Sequence, residues 1–274
     1  MSHGDNVYFT RILLKVRDER GLDFSGYREA ILRRRVMMRA RLAKKGTFES
    51  YFSLLISSHD EMDRLIDALT INVTEFFRDQ RVFDAIEERV IPAIVQKKKT
   101  AKGIRAWSCG CSSGEEAYSV LMLIAEYLGP KFSHYGVKIY ATDIDKASLA
   151  KARSGIYETL QFKNMANRRK LLIDKYFYDT GNRKFRIREE WPSFVDFIYH
   201  DVSAELPFEN LDMITCRNML IYFDRALQED VMKKFHSALN PGGFLVLGNV
   251  ESLGVGVRDK FEEFDRASRI YVKK

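Results

Sequence analysis

The rhythm of apolar and polar positions changes once along this chain. Residues 7–69 keep helical spacing throughout, which predicts helices over 8–20, 27–45, 48–58 and 60–69, separated by Gly21, Gly46 and the Ser57-Ser58-His59 stretch, with no strand required. On the second helix, Tyr27, Ile31, Met38 and Leu42 fall in one narrow sector at about 100° per residue and form its expected core face. Arg28, Arg35 and Arg39 line one edge of that sector, and Arg34, Arg41 and Lys45 line the other. Asn72 and Thr74 are cap-type residues, and a helix is expected from Glu75 to Ile91, ended by Pro92. The segment 97–102 reads as a solvated loop.

From residue 104 strands and helices alternate, the pattern of a parallel sheet wound with helices. The first strand, 104–108, feeds a turn punctuated by Gly110 and Gly114, with Ser112 or Ser113 placed to cap a helix that runs to about Leu128. Further strands are expected at 137–142, 195–199, 213–216 and 244–247, with Asn240-Pro241-Gly242-Gly243 turning the chain before the last of these. Residues 269–272 should supply a final edge strand. Residues 155–190 break the rhythm with a short helix and a hairpin around 179–182, which looks like an insertion. The expected organisation is a helical domain over 1–75 and a doubly wound, mostly parallel α/β domain over 76–274, with a small β-subdomain inserted at about 155–190.

Charge singles out one element. The chain of 274 residues carries a formal charge of +7, and the stretch from Arg28 to Lys45, with eight arginines and lysines against one glutamate, accounts for all of it. So local an excess points to an acidic partner at the second helix. No apolar run approaches the roughly 20 residues of a membrane span and the N-terminus lacks a signal-peptide profile, so a soluble cytoplasmic protein is expected. The three cysteines, Cys109, Cys111 and Cys216, lack the second pair that a zinc site needs and read as free packing thiols.

The glycine turn, a strand passing into a helix N-terminus, suits a nucleoside-bearing cofactor. It departs from a dinucleotide fingerprint, because the spacing is Gly110-xxx-Gly114 and the acid ending the next strand, Asp143, lies 33 residues after Gly110. Polar residues stand at each carboxyl end in the sheet: Glu115 or Glu116 after the first strand, Asp143 after the second, Asp201 after the third, and Arg217 with Asn218 after the fourth. Carboxylates suit ribose hydroxyls and a sulfonium or amino cation and repel phosphates. That favours S-adenosylmethionine over ATP or NAD.

Five stretches carry a resemblance: TINVTEFFRD (70–79), WSCGCSSGEEAYS (107–119), ATDID (141–145), DMITCRNMLIYF (212–223) and LNPGGFLVLGNVESL (239–253). Together they resemble the CheR-type chemotaxis receptor methyltransferases, over nearly the whole chain. The resemblance implies a Rossmann-like methyltransferase that moves a methyl group from S-adenosylmethionine to glutamate side chains on the cytoplasmic helices of chemoreceptors, leaving glutamyl methyl esters and S-adenosylhomocysteine. It implies cofactor contacts at Asn72, Thr74, Arg78, Glu115, Asp143, Asp201, Val202, Asn218 and Met219, with Asp143 on the ribose. Arg217 and Tyr222 would sit beside the transferred methyl and the incoming carboxylate. Cys109, Cys111 and Ala117 are small departures from the family pattern, and the short turn over 179–183 resembles members that work without a receptor pentapeptide tether.

The arginines of the second helix, Arg28, Arg34, Arg35, Arg39 and Arg41, then become expected contacts for Glu-rich receptor helices. A monomer without a metal and without membrane insertion is expected. Two other readings compete. A nucleic-acid methyltransferase would use the basic helix on phosphates, but the chain lacks the Asn/Asp-Pro-Pro-aromatic stretch of amino-directed base methylases and a Pro-Cys nucleophile. A non-catalytic sensor of the cofactor would not need polar residues at every strand end.

Overall fold

The computed structural model describes residues 3–70, 72–98 and 103–274. The chain divides into two compact units, Met1–Asn72 with Tyr222–Leu227, and Val73–Ile221 with Gln228–Lys274. Most of the expected loop at 97–102 lies outside the described residues.

The first unit contains α1 (His3–Arg20), α2 (Glu29–Leu42), α3 (Phe48–Ser57) and α4 (His59–Leu69). Thr47 and Ser50 form a reciprocal capping box that starts α3, and the Ser58 hydroxyl accepts from the Glu61 N–H to start α4. Phe9, Ile12, Val16, Leu32, Val36, Tyr51, Leu55, Met62 and Leu65 are buried in its core.

The expected core face of α2 is corrected here. Leu32, Val36 and Ala40 point inward, while Met38 is 52% and Leu42 is 68% exposed. The helix carries two apolar arcs at helical spacing, and periodicity alone does not say which one turns inward. Tyr27 precedes the helix and bridges Phe223.

The second unit is built on a seven-stranded sheet. Its strands are β1 (Gly103–Cys109), β2 (Gly136–Asp143), β6 (Val195–Tyr199), β7 (Leu211–Cys216), β8 (Leu239–Leu247), β9 (Phe261–Asp265) and β10 (Ile270–Lys273), in the order β6-β2-β1-β7-β8-β10-β9. Neighbours from β6 through β8 are parallel, and β10 runs antiparallel to both β8 and β9. The strand order reverses at β1, with β2 on one side and β7 on the other, so a crevice opens beyond their carboxyl ends. The segment at 269–272 is therefore not the edge. Phe261–Asp265 is the edge, and its FEEFD pattern hides the strand because its apolar residues lie three apart rather than two.

The remaining helices are α5 (Gln80–Ala85), α6 (Ile91–Lys97), α7 (Glu115–Leu128), α8 (Lys146–Ser154), α9 (Asn167–Tyr176) and α10 (Arg225–Ala238). Pro92 does not end the helix that precedes it. A π turn over Ile86–Val90 joins α5 to α6, the Ile91 N–H reaches back to the Ile86 carbonyl, and Pro92 sits in the first turn of α6, where its missing N–H costs least.

The insertion is a three-stranded antiparallel sheet rather than a hairpin alone. Its strands are β3 (Ile156–Glu158), β4 (Phe177–Gly181) and β5 (Lys184–Ile187), in the order β3-β5-β4. The turn before Phe244 is likewise a bulge: Leu239 pairs with Leu211, and pairing resumes at Met213 with Phe244.

Candidate functional site

The turn after β1 is held in left-handed backbone, with φ of +74° at Gly110, +50° at Ser112 and +93° at Gly114. Two close approaches make the glycines necessary. A Cβ on Gly110 would lie 2.8 Å from the Met219 sulfur, and one on Gly114 would lie 2.9 Å from the Phe197 ring. Neither serine caps α7: Gly114 holds the capping position without a side-chain bond, and the Ser113 hydroxyl instead donates to the Glu115 carboxylate at 2.8 Å.

Four backbone amides of this turn are engaged internally. Gly110 and Cys111 both donate to the Thr142 carbonyl at 2.9 Å, Gly114 donates to the Cys111 carbonyl at 2.9 Å, and Ser112 donates to Asp143 Oδ2 at 2.8 Å. A phosphate cradle needs those N–H groups free. Their engagement fits a nucleoside cofactor that brings hydroxyls, an amine and a sulfonium and no phosphate.

Asp143 ends β2 with each oxygen receiving one backbone N–H, from Ser112 and from Asp145 at 2.9 Å. Burial pushes its carboxyl above the usual range against the pull of those hydrogen bonds. Each oxygen keeps a lone pair, as a group accepting two ribose hydroxyls requires. After β6, Asp201 accepts from the Ser203 N–H at 2.8 Å in a tight turn and Val202 is buried.

Glu115 and Glu116 take different directions. Glu115 is fully buried, accepts from Ser113 and from Gln161 of the insertion, and is pushed upward by burial. The Tyr157 hydroxyl donates to the Ser113 carbonyl at 2.9 Å, so this acid joins the head of α7 to the inserted subdomain. Glu116 accepts from Ser108 at 2.8 Å and Thr215 at 2.6 Å, and thereby ties the carboxyl ends of β1 and β7 together.

Arg217 departs from expectation most. Its side chain is 2% exposed and clamped by Asp79 Oδ2 at 2.7 Å, by the Arg78 carbonyl at 2.8 Å and by Glu116 Oε2 at 3.3 Å. Its two terminal nitrogens are thus committed to two carboxylates and a carbonyl and brace the end of β7, while its buried Nε has no partner. Arg78 itself donates to the Val73 carbonyl at 2.8 Å, and Thr74 is half-buried beside it in the chain.

Sequence reasoning missed Glu251. This residue is 4% exposed, and its carboxylate receives four backbone N–H groups: Asn218 at 3.0 Å, Met219 at 2.9 Å, Leu220 at 2.8 Å and Gly248 at 2.7 Å. It fixes the loops after β7 and β8 and holds Asn218 at φ +59°. The signal was present in LNPGGFLVLGNVESL, where an acid follows a strand and a glycine.

Tyr222 and Asn72 belong to the helical unit. There Tyr222 is half-buried, its carbonyl accepts from the Arg28 N–H at 2.8 Å, and the Arg35 guanidinium lies 5.7 Å from its ring centre. The expected receptor contacts on α2 divide in the same unit. Arg39 makes two 2.7 Å bonds to Glu61, Arg35 donates to the Ala68 carbonyl, and Arg28 donates to the Phe223 carbonyl. Arg34 and Arg41 remain exposed. The three cysteines are free and buried, and burial raises the thiols of Cys111 and Cys216. Among the described residues no helix is long and apolar enough to cross a membrane.

Comparison with known proteins bears on the whole chain. Residues 8–70 match the all-alpha domain of CheR methyltransferases and residues 72–270 match their SAM-binding domain. The chain is 34% identical to the chemotaxis protein methyltransferase of Listeria innocua over 91% of its own length and 90% of that protein. It is 33% identical to chemotaxis protein methyltransferase 2 of Vibrio cholerae over 85% and 81% of the two chains. With the chemotaxis protein methyltransferase of Escherichia coli it shares 31% identity over 90% and 85%. The parallel sheet with its antiparallel β10, the phosphate-free cradle and these matches lead to one conclusion: the chain belongs to the CheR methyltransferase family and is an S-adenosylmethionine-dependent methyltransferase of chemotaxis.

Proposed function

We propose that this enzyme methylates glutamate side chains on the cytoplasmic helices of chemoreceptors, with α2 as the surface that meets them. S-adenosylmethionine supplies a methyl group on a sulfonium, already activated toward a nucleophile. The acceptor needs no general base, because a glutamate with an ordinary pKa of about 4.3 is ionised at neutral pH. The work left to the protein is alignment and removal of water, which can contribute up to roughly 7–11 kcal/mol.

In this reading Asp143 takes the ribose hydroxyls, and Asp201 with Val202, Asn218 with Met219, Thr74, Arg78 and Asn72 contribute further contacts to the cofactor. Glu115 acts by positioning the head of α7 and the insertion. Arg217 is a positioning residue as well, through Asp79 and Glu116. Tyr222 is left as the group that orients the acceptor carboxylate by a hydrogen bond mild enough to preserve its nucleophilicity.

The observation that carries the acceptor assignment is the outer face of α2. Met38 and Leu42 are exposed there, and the exposed Arg34 and Arg41 share that arc. An apolar strip edged with guanidinium groups suits an amphipathic helix rich in glutamate, which brings apolar contacts and carboxylates together. A nucleic acid would use the cations and leave the strip bare. The chain's own segment over 179–183 is a tight turn with φ of +84°, +53° and +61° at Gly181, Asn182 and Arg183, and so short a connection supports action without a receptor pentapeptide tether. A cytoplasmic location follows from the substrate, and a monomer suffices for it.

Replacing Arg34 and Arg41 by glutamate should raise KM for a receptor cytoplasmic domain by about tenfold or more, with cofactor affinity and thermal stability unchanged. Unchanged receptor kinetics in that double variant would remove α2 from the acceptor surface.

A further inference from the structure

Within the second unit, an open groove of about 490 Å³ lies between the start of α5 and the β9–β10 turn. Arg81, Arg266 and Arg269 line it together with Asp79, Asn249 and Ala267. The three guanidinium groups have no carboxylate within ion-pair distance among the described residues, although acids are close in sequence. Those acids are engaged elsewhere: Asp265 pairs with Arg89 at 2.7 Å, and Asp79 pairs with Arg217 at 2.7 Å. Three cations line one groove whose single acid, Asp79, is already paired with Arg217, so the groove carries a positive excess that suits an anion.

Backbone conformation reinforces the charge. Arg269 holds φ +53° and Asp79 holds φ +60°, a region that residues other than glycine avoid. The Arg269 conformation is pinned on both sides, since its carbonyl accepts from the Leu247 N–H at 3.1 Å and its N–H reaches the Arg266 carbonyl at 3.4 Å. The turn thereby fixes where Arg269 leaves the backbone at the groove.

The groove also shares walls with the brace at the end of β7. Asp79 forms part of its lining and grips Arg217, and Asn249 follows Gly248, whose N–H donates to Glu251. A segment lying in the groove is thereby adjacent to the loops after β7 and β8. Asp79 sets the chemistry at one wall, because its carboxylate opposes a polyphosphate while single carboxylates can settle on the arginines.

We infer that this groove binds a second acidic side chain of the acceptor, flanking the glutamate that is methylated, through Arg81, Arg266 and Arg269. The inference rests on the acceptor assignment above. Its consequence is that the enzyme reads the charge of the neighbourhood: a flanking glutamate binds, and the same position made neutral by amidation or esterification does not.

The test uses the full-length enzyme and two receptor cytoplasmic domains with a single methylatable glutamate, one with acidic flanking residues and one with those residues replaced by glutamine. The enzyme variant combines Arg81→Ala, Arg266→Ala and Arg269→Asn, the last because asparagine tolerates the left-handed backbone. KM for the acid-flanked acceptor should rise about tenfold, with kcat and cofactor affinity unchanged, whereas KM for the glutamine-flanked acceptor should change less than about twofold. An equal rise on both acceptors, no rise on either, or a fall in kcat alone would overturn the inference. Failure of the unaltered enzyme to methylate either acceptor would instead overturn the acceptor assignment itself.

Discussion

Glu61 in the helical unit and Glu251 in the methyltransferase unit are each 4% exposed, yet the protein holds them by opposite means. Glu61 receives two 2.7 Å bonds from Arg39 and one of 2.9 Å from the Tyr51 hydroxyl. Burial alone would raise its carboxyl, and those bonds outweigh burial to hold it below the usual range. Glu251 receives four backbone amides and burial prevails, pushing its carboxyl up. The contrast separates a salt bridge inside a helical core from a nest of amides at two strand ends. A cation beside Glu61 neutralises a charge that only has to hold α2 against α4. Dipoles around Glu251 fix two strand-end loops without adding a positive charge there. Arg217 follows the same logic, since Asp79 and Glu116 together outweigh its single charge.

The largest effect expected from breaking this comparison is at Arg39. Arg39→Ala leaves buried Glu61 with only the exposed Arg64 guanidinium at 3.9 Å and should destabilise the helical unit by about 3 kcal/mol, measured by urea or thermal unfolding. Acid should weaken the same pair. The stabilisation of a carboxyl with a lowered folded pKa is full above its unfolded value and is lost as pH falls through the folded one. For Glu251, raised in the fold, the sign reverses: its contribution is full below the unfolded value and is lost as pH rises through the folded one. Hydrogen-exchange protection of α2 and α4 should therefore fall in acid before that of β7. Equal loss in both units would remove the distinction.

A smaller effect is expected at Glu251. Glu251→Gln retains one carbonyl oxygen for four N–H donors and should cost about 2–3 kcal/mol. Its sharper signature is weakened cofactor binding by calorimetry, because Asn218 and Met219 lose their anchor. Arg39→Ala should leave that binding intact in the folded population. Cofactor affinity preserved in Glu251→Gln would show that the amide nest serves stability alone.

How far the sequence disclosed this arrangement depends on the kind of contact. The five parallel strands were readable because each is a short apolar run followed by a polar residue, and the glycine turn was readable because Gly110 and Gly114 permit left-handed backbone. The edge strand was not readable, since FEEFD lacks alternation and becomes a strand only through pairing with β10. Nor was the inward face of α2, where two apolar arcs compete and the buried one is set by α4 and its Glu61. Arg217 was legible as an important position, but its ion pairs were not, because the carboxylates that hold it come from Asp79 and Glu116, far away in sequence. Glu251 went unread for a related reason, since three of its four partners are backbone amides about thirty residues earlier, which no side-chain motif records.

A phosphate-free cradle at β1 serves methyl transfer to a receptor carboxylate. That role is tested most directly by incubating the enzyme and S-adenosylmethionine labelled in its methyl group with a receptor cytoplasmic domain and, separately, with RNA. Label is expected on the receptor alone, in base-labile form that releases methanol and maps to glutamate. Label in RNA, or base-stable label in the receptor, would contradict it.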